Sequence, residues 1–218
     1  MLLKNSDQLT VLYQSRYELL NARVQALQKQ IAAIQEVINQ KNLAKTQNQV
    51  EQAQQQSQSI DKNPLIQKEL DLNAHLSQSL LEQTEKINTL TQDELRMRNV
   101  LDNLTQTQRT IDEQISALQG TLVLSRIIQQ QKQKLPTNLN IQGLSKQIAD
   151  LRVQIFDITQ KRNELYDIDA YISKVEQDEN KSFTPAEKTQ LTNLLIERRK
   201  VLSDLIKSLN NQLNLAIS

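Results

Sequence analysis

The chain has 218 residues, of which only 2 are Gly and 3 are Pro; Cys and Trp are absent and aromatics make up 3%. Sandwiches, barrels and doubly wound α/β domains consume Gly, Pro, Asn and Asp in their many turns, so this composition excludes them and leaves long helices. Lys and Arg number 26 against 25 Asp and Glu, a balance of +1, which offers no basic field for phosphates and makes nucleic acid an unexpected partner.

The first punctuation is Pro64. Before it an a/d repeat runs through Tyr13, Tyr17, Leu20, Val24, Leu27, Ile31, Ile34 and Ile38, alternating steps of four and three. In the same register Lys41, Lys45 and Asn48 follow, so the seam turns polar, and Gln47 to Gln58 is rich in Gln, 7 of its 12 residues, a good helix former. The spacing predicts one helix over about residues 6 to 60, roughly 80 Å long.

Asn63 and Pro64 read as an N-cap with proline at the first helical position, opening a second helix that folds back on the first. Its stripe is Leu90, Met97, Leu101, Leu104, Ile111, Ile115, Leu118 and Leu122, interrupted by Glu94 and Gln108, with Gly120 a soft spot or close contact and an end at Leu135–Pro136. After a connector at Thr137–Asn140, a third helix carries Leu144, Ile148, Leu151, Ile155, Ile158 and Leu165, with Arg162 intruding, and fades near Val175. Glu176 to Ser182 reads as a polar loop. Thr184, Pro185 and Glu187 form a capping box that starts a fourth helix bearing Leu191, Leu195, Leu202, Leu205 and Leu209. The expected fold is all-α: elongated antiparallel hairpins or coiled coil of about four helices, two of them very long. Residues 1–135 would form one hairpin turning near 61–64. Residues 136–218 would form a second, turning near 176–184 and packed on or extending the first.

Catalytic chemistry is not expected. His75 is the only histidine and has no partner at ligand spacing, and with no Cys and no HxxxH pair a metal site has nothing to build on. Two Gly 23 residues apart (120 and 143) cannot make a phosphate-cradling loop. Asp167 and Asp169 point roughly 200° apart on a helix. Asn103-Leu104-Thr105 fits the glycosylation pattern only fortuitously, and Arg198–Arg199 reads as a solvated face pairing with nearby Glu. No catalytic, cofactor-binding or metal residue is therefore assigned, and no cofactor is expected. No window approaches the ~18 consecutive apolar residues of a membrane span. The start, MLLKNSDQLT, lacks a signal segment, so an exported protein would have its signal ahead of this chain.

Two stretches carry a family resemblance: Leu122 to Pro136 (LVLSRIIQQQKQKLP) and Gly143 to Ile172 (GLSKQIADLRVQIFDITQKRNELYDIDAYI). Leu124, Ser125, Arg126, Leu135 and Pro136, then Gly143, Leu144, Gln147, Ile148, Ala149, Asp150, Leu151 and Arg152, then Arg162, Leu165, Ala170, Tyr171 and Ile172 follow the recurring pattern. They resemble the periplasmic N-terminal, porin-type coiled-coil domain of large MscS-family mechanosensitive channels of Gram-negative bacteria, the MscK/MscM (KefA-like) branch. The resemblance implies a periplasmic scaffold or sensor region, joined to membrane and pore domains anchored in the inner membrane. The whole channel would be heptameric and open under membrane tension in hypo-osmotic shock. The segment itself would not conduct. It is expected to be a monomer or weak oligomer, because intramolecular seams would bury most of its apolar stripes. The competing expectation is an envelope coiled-coil adaptor or regulator.

Overall fold

The computed structural model describes residues 2–59, 63–117, 130 and 141–217, and every element among them is an α-helix. The helices are α1 (Leu2–Gln58), α2 (Pro64–Ala117), α3 (Ile141–Glu164), α4 (Ile168–Asp178) and α5 (Pro185–Ile217). The fold is all-α and of the coiled-coil kind, with α1 and α2, at 57 and 54 residues, the two long helices. Gly120, Leu118, Leu122, the connector at 137–140 and the expected boundary at 135–136 lie outside the described residues. So does most of the first stretch of family resemblance. The chain divides into two compact units, Met1–Ala44 and Lys45–Ser218.

The first unit is the leading part of α1, uninterrupted because it holds neither Gly nor Pro. The residues of its expected seam are exposed. Tyr13, Tyr17, Leu20, Val24, Leu27, Ile31, Ile34 and Ile38 are 44–63% exposed. The covered positions are instead Gln28, Ala32, Gln35, Asn39 and Leu43, about a quarter-turn around the helix from the apolar stripe. The Gln35 amide donates to Asn39 Oδ1 along this face (3.1 Å). Further along α1 the same face continues as Thr46, Val50, Ala53 and Ser57. There the end of the helix is tied to α2: Ser57 Oγ donates to Asp71 (2.5 Å), and Gln67 Nε2 donates to the Ser57 carbonyl (2.8 Å). The a/d register leads to Lys41, Lys45 and Asn48, all exposed.

In the second unit α5 lies along both α2 and α3 and touches α4. Ile66, Leu70 and Leu80 of α2, with Leu165, Ile172 and Phe183, close around Leu191, Leu194, Leu195, Val201, Leu202 and Leu205 of α5. All five stripe residues expected on the last helix are buried. On α2 the expected stripe is displaced: Met97 and Leu101 are exposed, and Leu90, Leu104 and Ile111 only half-buried. The seam of α2 runs earlier, through Ile66, Leu70, Asn73, Ser77, Leu80, Thr84, Ile87 and Thr91, again in steps of four and three. Its threonines are tolerated because each hydroxyl bonds within the helix, Thr84 to the Leu80 carbonyl and Thr91 to that of Ile87, both at 2.8 Å.

Two helix starts follow the expected chemistry. Asn63 Oδ1 accepts from the Leu65 amide (3.0 Å) ahead of Pro64. Thr184 and Glu187 exchange bonds, with the Thr184 amide donating to Glu187 Oε2 (2.8 Å) and the Glu187 amide to Thr184 Oγ1 (3.3 Å). The expected third helix is divided. It ends at Glu164, and α4 begins after Asp167, whose carboxylate caps the Ala170 amide (2.9 Å). The stretch read as a loop from Glu176 is helical to Asp178, and Asn180 then turns the chain with φ of 49°.

Candidate functional site

The polar groups that the fold brings together sit where α5 meets α2. Arg198, on the apolar stripe of α5, is only 4% exposed. Its Nε donates to Asn73 Oδ1 (2.8 Å), one terminal nitrogen donates to the Glu69 carbonyl (3.0 Å), and the same nitrogen makes an ion pair with Glu69 Oε2 (2.5 Å). Asn73 Nδ2 in turn donates to the Leu194 carbonyl (3.0 Å). Tyr171 of α4 stands beside them. Burial pushes its phenol above the ordinary tyrosine range and the Glu69 carboxylate adds to the rise, against the pull of Arg198. The reading of Arg198 as a solvated residue is thus corrected: it does pair with a Glu, but one on another helix and out of water. A guanidinium can occupy a leucine-rich seam only when its donors meet acceptors there, and Glu69 and Asn73 supply them.

Two further contacts extend this line. Gln212 Nε2 donates to Gln83 Oε1 (2.8 Å) and its carbonyl (3.2 Å). Asn63 Nδ2 donates to Glu187 Oε1 (2.9 Å), so the starts of α2 and α5 adjoin. The Arg198–Glu69 and Gln212–Gln83 contacts span the same 129 residues of sequence, so the two helices run parallel and in step. At the α4–α5 reversal, Glu176 accepts from the Phe183 amide (2.8 Å) and from Lys188 (3.1 Å), which holds its carboxyl below the usual glutamate range. Hydrogen bonds from Ser57 and Gln67 do the same for Asp71.

These arrangements position helices. His75 lies exposed on α2, and Asp167 and Asp169 are a cap and a first-turn acid of α4. Asn103 and Thr105 are exposed, and the Thr105 hydroxyl donates to the Leu101 carbonyl (2.9 Å). Among the described residues no group of three or more His, Cys, Asp or Glu gathers to hold a metal ion, and no helix is long and apolar enough to cross a membrane. Of the residues that carry the family resemblance, Leu151, Leu165 and Ile172 are buried and Tyr171 flanks Arg198, whereas Gln147, Ala149, Asp150, Arg152 and Ala170 are exposed. Asn73 and Glu69 escaped the sequence reading because their partner lies 125 and 129 residues away.

Residues 1–68, comprising α1 and the start of α2, match the model of the mechanosensitive ion channel porin domain. An MscS family protein of Haemophilus influenzae, described as uncharacterized, is 78% identical over 217 residues, 100% of this chain and 19% of that protein. The mechanosensitive channel MscK of Escherichia coli is 35% identical over 207 residues, 94% of this chain and 18% of the channel. The chain is thus similar to MscS-family proteins, with the porin-domain match at its start. The chain spans about a fifth of the length of the curated relatives it matches. The match at 1–68 covers the exposed stripe of α1, while the stretches that carry the family resemblance, 122–136 and 143–172, lie beyond it and inside the alignment to the Haemophilus protein.

Proposed function

We propose that the segment is a periplasmic helical scaffold or sensor arm of an MscS-family channel, a channel that opens under membrane tension during hypo-osmotic shock. The 35% identity to MscK over 94% of the chain carries this reading. The arm neither conducts nor catalyses, and it continues into membrane and pore domains anchored in the bacterial inner membrane and assembled as a homo-oligomer of seven. Its organisation as two hairpins, 1–135 and 136–218, belongs to the same proposal. Seams filled by side chains transmit force and hold distance, and they leave little room for a small-molecule pocket.

Deleting the arm from the intact channel and recording tension-activated current in membrane patches tests this. Unit conductance is expected to stay unchanged, because the pore lies elsewhere. The gating threshold is expected to move, since an arm that interacts differently with open and closed forms biases their populations. A parent protein with no tension-gated current, where a control channel opens, would overturn the reading. That outcome would favour an envelope coiled-coil adaptor, which the exposed apolar face of α1 also suits.

A further inference from the structure

We propose that Glu187 is a cap shared by two helices: one carboxylate oxygen closes the start of α5 and the other the start of α2, so the two starts open together. The device lies wholly within the second compact unit and does not involve Met1–Ala44. It holds whichever parent protein carries the segment.

The need for it comes from helix direction. α2 and α5 run parallel and in step, so their first turns lie side by side. Each first turn presents unpaired amides and a partial positive charge, and two such ends side by side repel. A carboxylate between them offsets both. The two first turns hold a single acid: α5 carries Glu187, and α2 carries none. The cap of α2, Asn63, is neutral, so α2 borrows its negative charge from α5.

The geometry shows how one side chain serves both. Glu187 Oε2 accepts from the Thr184 amide (2.8 Å) and the Thr184 hydroxyl (2.9 Å), and the Glu187 amide donates back to Thr184 Oγ1 (3.3 Å). That completes the capping box of α5 with one oxygen. The other, Oε1, accepts from Asn63 Nδ2 (2.9 Å) across 124 residues of sequence. Asn63 Oδ1 accepts from the Leu65 amide (3.0 Å), and its carbonyl accepts from the Gln67 amide (3.1 Å). A side-chain amide presents its nitrogen one way and its oxygen the other, so the bond to Glu187 keeps Oδ1 aimed at Leu65. Asn63 and Glu187 are half-buried, and Ile66 and Phe183, close to them in sequence, enter one apolar cluster. The contact thus sits at the edge of a packed core.

Such coupling is reciprocal: whatever loosens the start of α2 loosens the start of α5 by the same factor. An acid that only completed its own capping box would leave α2 indifferent to the residue at 187.

Amide hydrogen exchange of the 218-residue chain separates the two cases, read at Leu65 and Gln67 for α2 and at positions 187 and 188 for α5. Glu187→Gln keeps an oxygen for Thr184 but sets an amide nitrogen against Asn63 Nδ2. Protection at Leu65 and Gln67 is expected to fall about tenfold, the usual worth of a cap, while the start of α5 keeps more of its own. Asn63→Asp, by itself an equally good cap, brings one carboxylate against another and is expected to lower protection at both starts. Combining the two substitutions is expected to restore it, because the new amide donates to the new carboxylate. Unchanged protection at Leu65 and Gln67 in Glu187→Gln overturns the proposal. So does a rise at those amides in Asn63→Asp, or a double variant no better protected than Asn63→Asp alone.

Discussion

The Nε of Arg198 donates to the side-chain oxygen of Asn73 at 2.8 Å, inside a seam otherwise lined by leucines, and Glu69 balances the charge. Truncating Arg198→Met leaves the Glu69 carboxylate buried without its cation. A loss of about 3–5 kcal/mol is expected in urea unfolding, and Glu69→Leu added to Arg198→Met should restore much of it, because removing both charges also removes the desolvation penalty. A double variant no more stable than the single one would show that the charge is not what matters.

Leucines of α5 carry the packing. Leu195→Ala and Leu205→Ala, at 0% and 2% exposure, should each cost about 2–5 kcal/mol. Leu151→Ala belongs with them, Ile155→Ala at the low end because it is half-buried, and Gln54→Ala, exposed on α1, should stay within about 0.5 kcal/mol of wild type. Thermal melts of the five variants separate these classes.

Asp167 caps α4 through the Ala170 amide. Asp167→Ala should cost about 0.5–2 kcal/mol, whereas Asp167→Asn should recover most of it. Amide hydrogen exchange in the first turn of α4 reads the effect locally, and unchanged protection there would refute the capping role.

Asn180 holds a left-handed backbone, φ 49°, between α4 and α5. Asn180→Gly should leave stability unchanged or slightly higher, and Asn180→Val should lose about 1–2 kcal/mol, since a β-branched side chain crowds that conformation. Chemical denaturation of the pair measures the difference.

Stability should also fall at both ends of the pH scale. The folded state holds the Glu176 carboxyl down through the Phe183 amide and Lys188. Its contribution is therefore present above the unfolded value of about pH 4.3 and is lost as pH falls through the lower folded value. Tyr171 is raised instead, so stability is intact below about pH 10 and is lost as pH rises through the folded value. Glu176→Gln should flatten the acid limb and Tyr171→Phe the alkaline one, as followed by circular dichroism.

Two helix starts were legible from local chemistry that proline flags: Asn63 with Pro64, and Thr184 with Glu187 around Pro185, announce themselves within four residues. The stripe of α5 was legible because its apolar residues meet an apolar core. The seam of α2 was not, because Asn73, Ser77, Thr84 and Thr91 occupy half of its positions and look solvated until their partners are known. The break before α4 hides inside an apolar run, where Asp167 reads equally well as an exposed helical residue. On α1 the apolar repeat does not mark the covered face: Tyr13 to Ile38 of the stripe lie exposed, while the polar Asn39 is buried.

The matched spacing of the two polar contacts between α2 and α5 has a mechanical consequence. Glu69 and Gln83 are separated by two heptads, as are Arg198 and Gln212, so both pairs engage at a single axial setting. Shearing one helix forward by a heptad would set Arg198 against Leu76 and Leu80 and Gln212 against Leu90. A backward slip would bring Ile66 to Arg198 and Leu76 to Gln212. After a forward slip the α5 side chains now against Ile66 and Leu70 would face Asn73 and Ser77, and neither the guanidinium nor the amide would find its acceptors. The two teeth lie about 21 Å apart along the axis and must disengage together. A pull along the helices therefore meets a ratchet that holds its step until it fails as a whole.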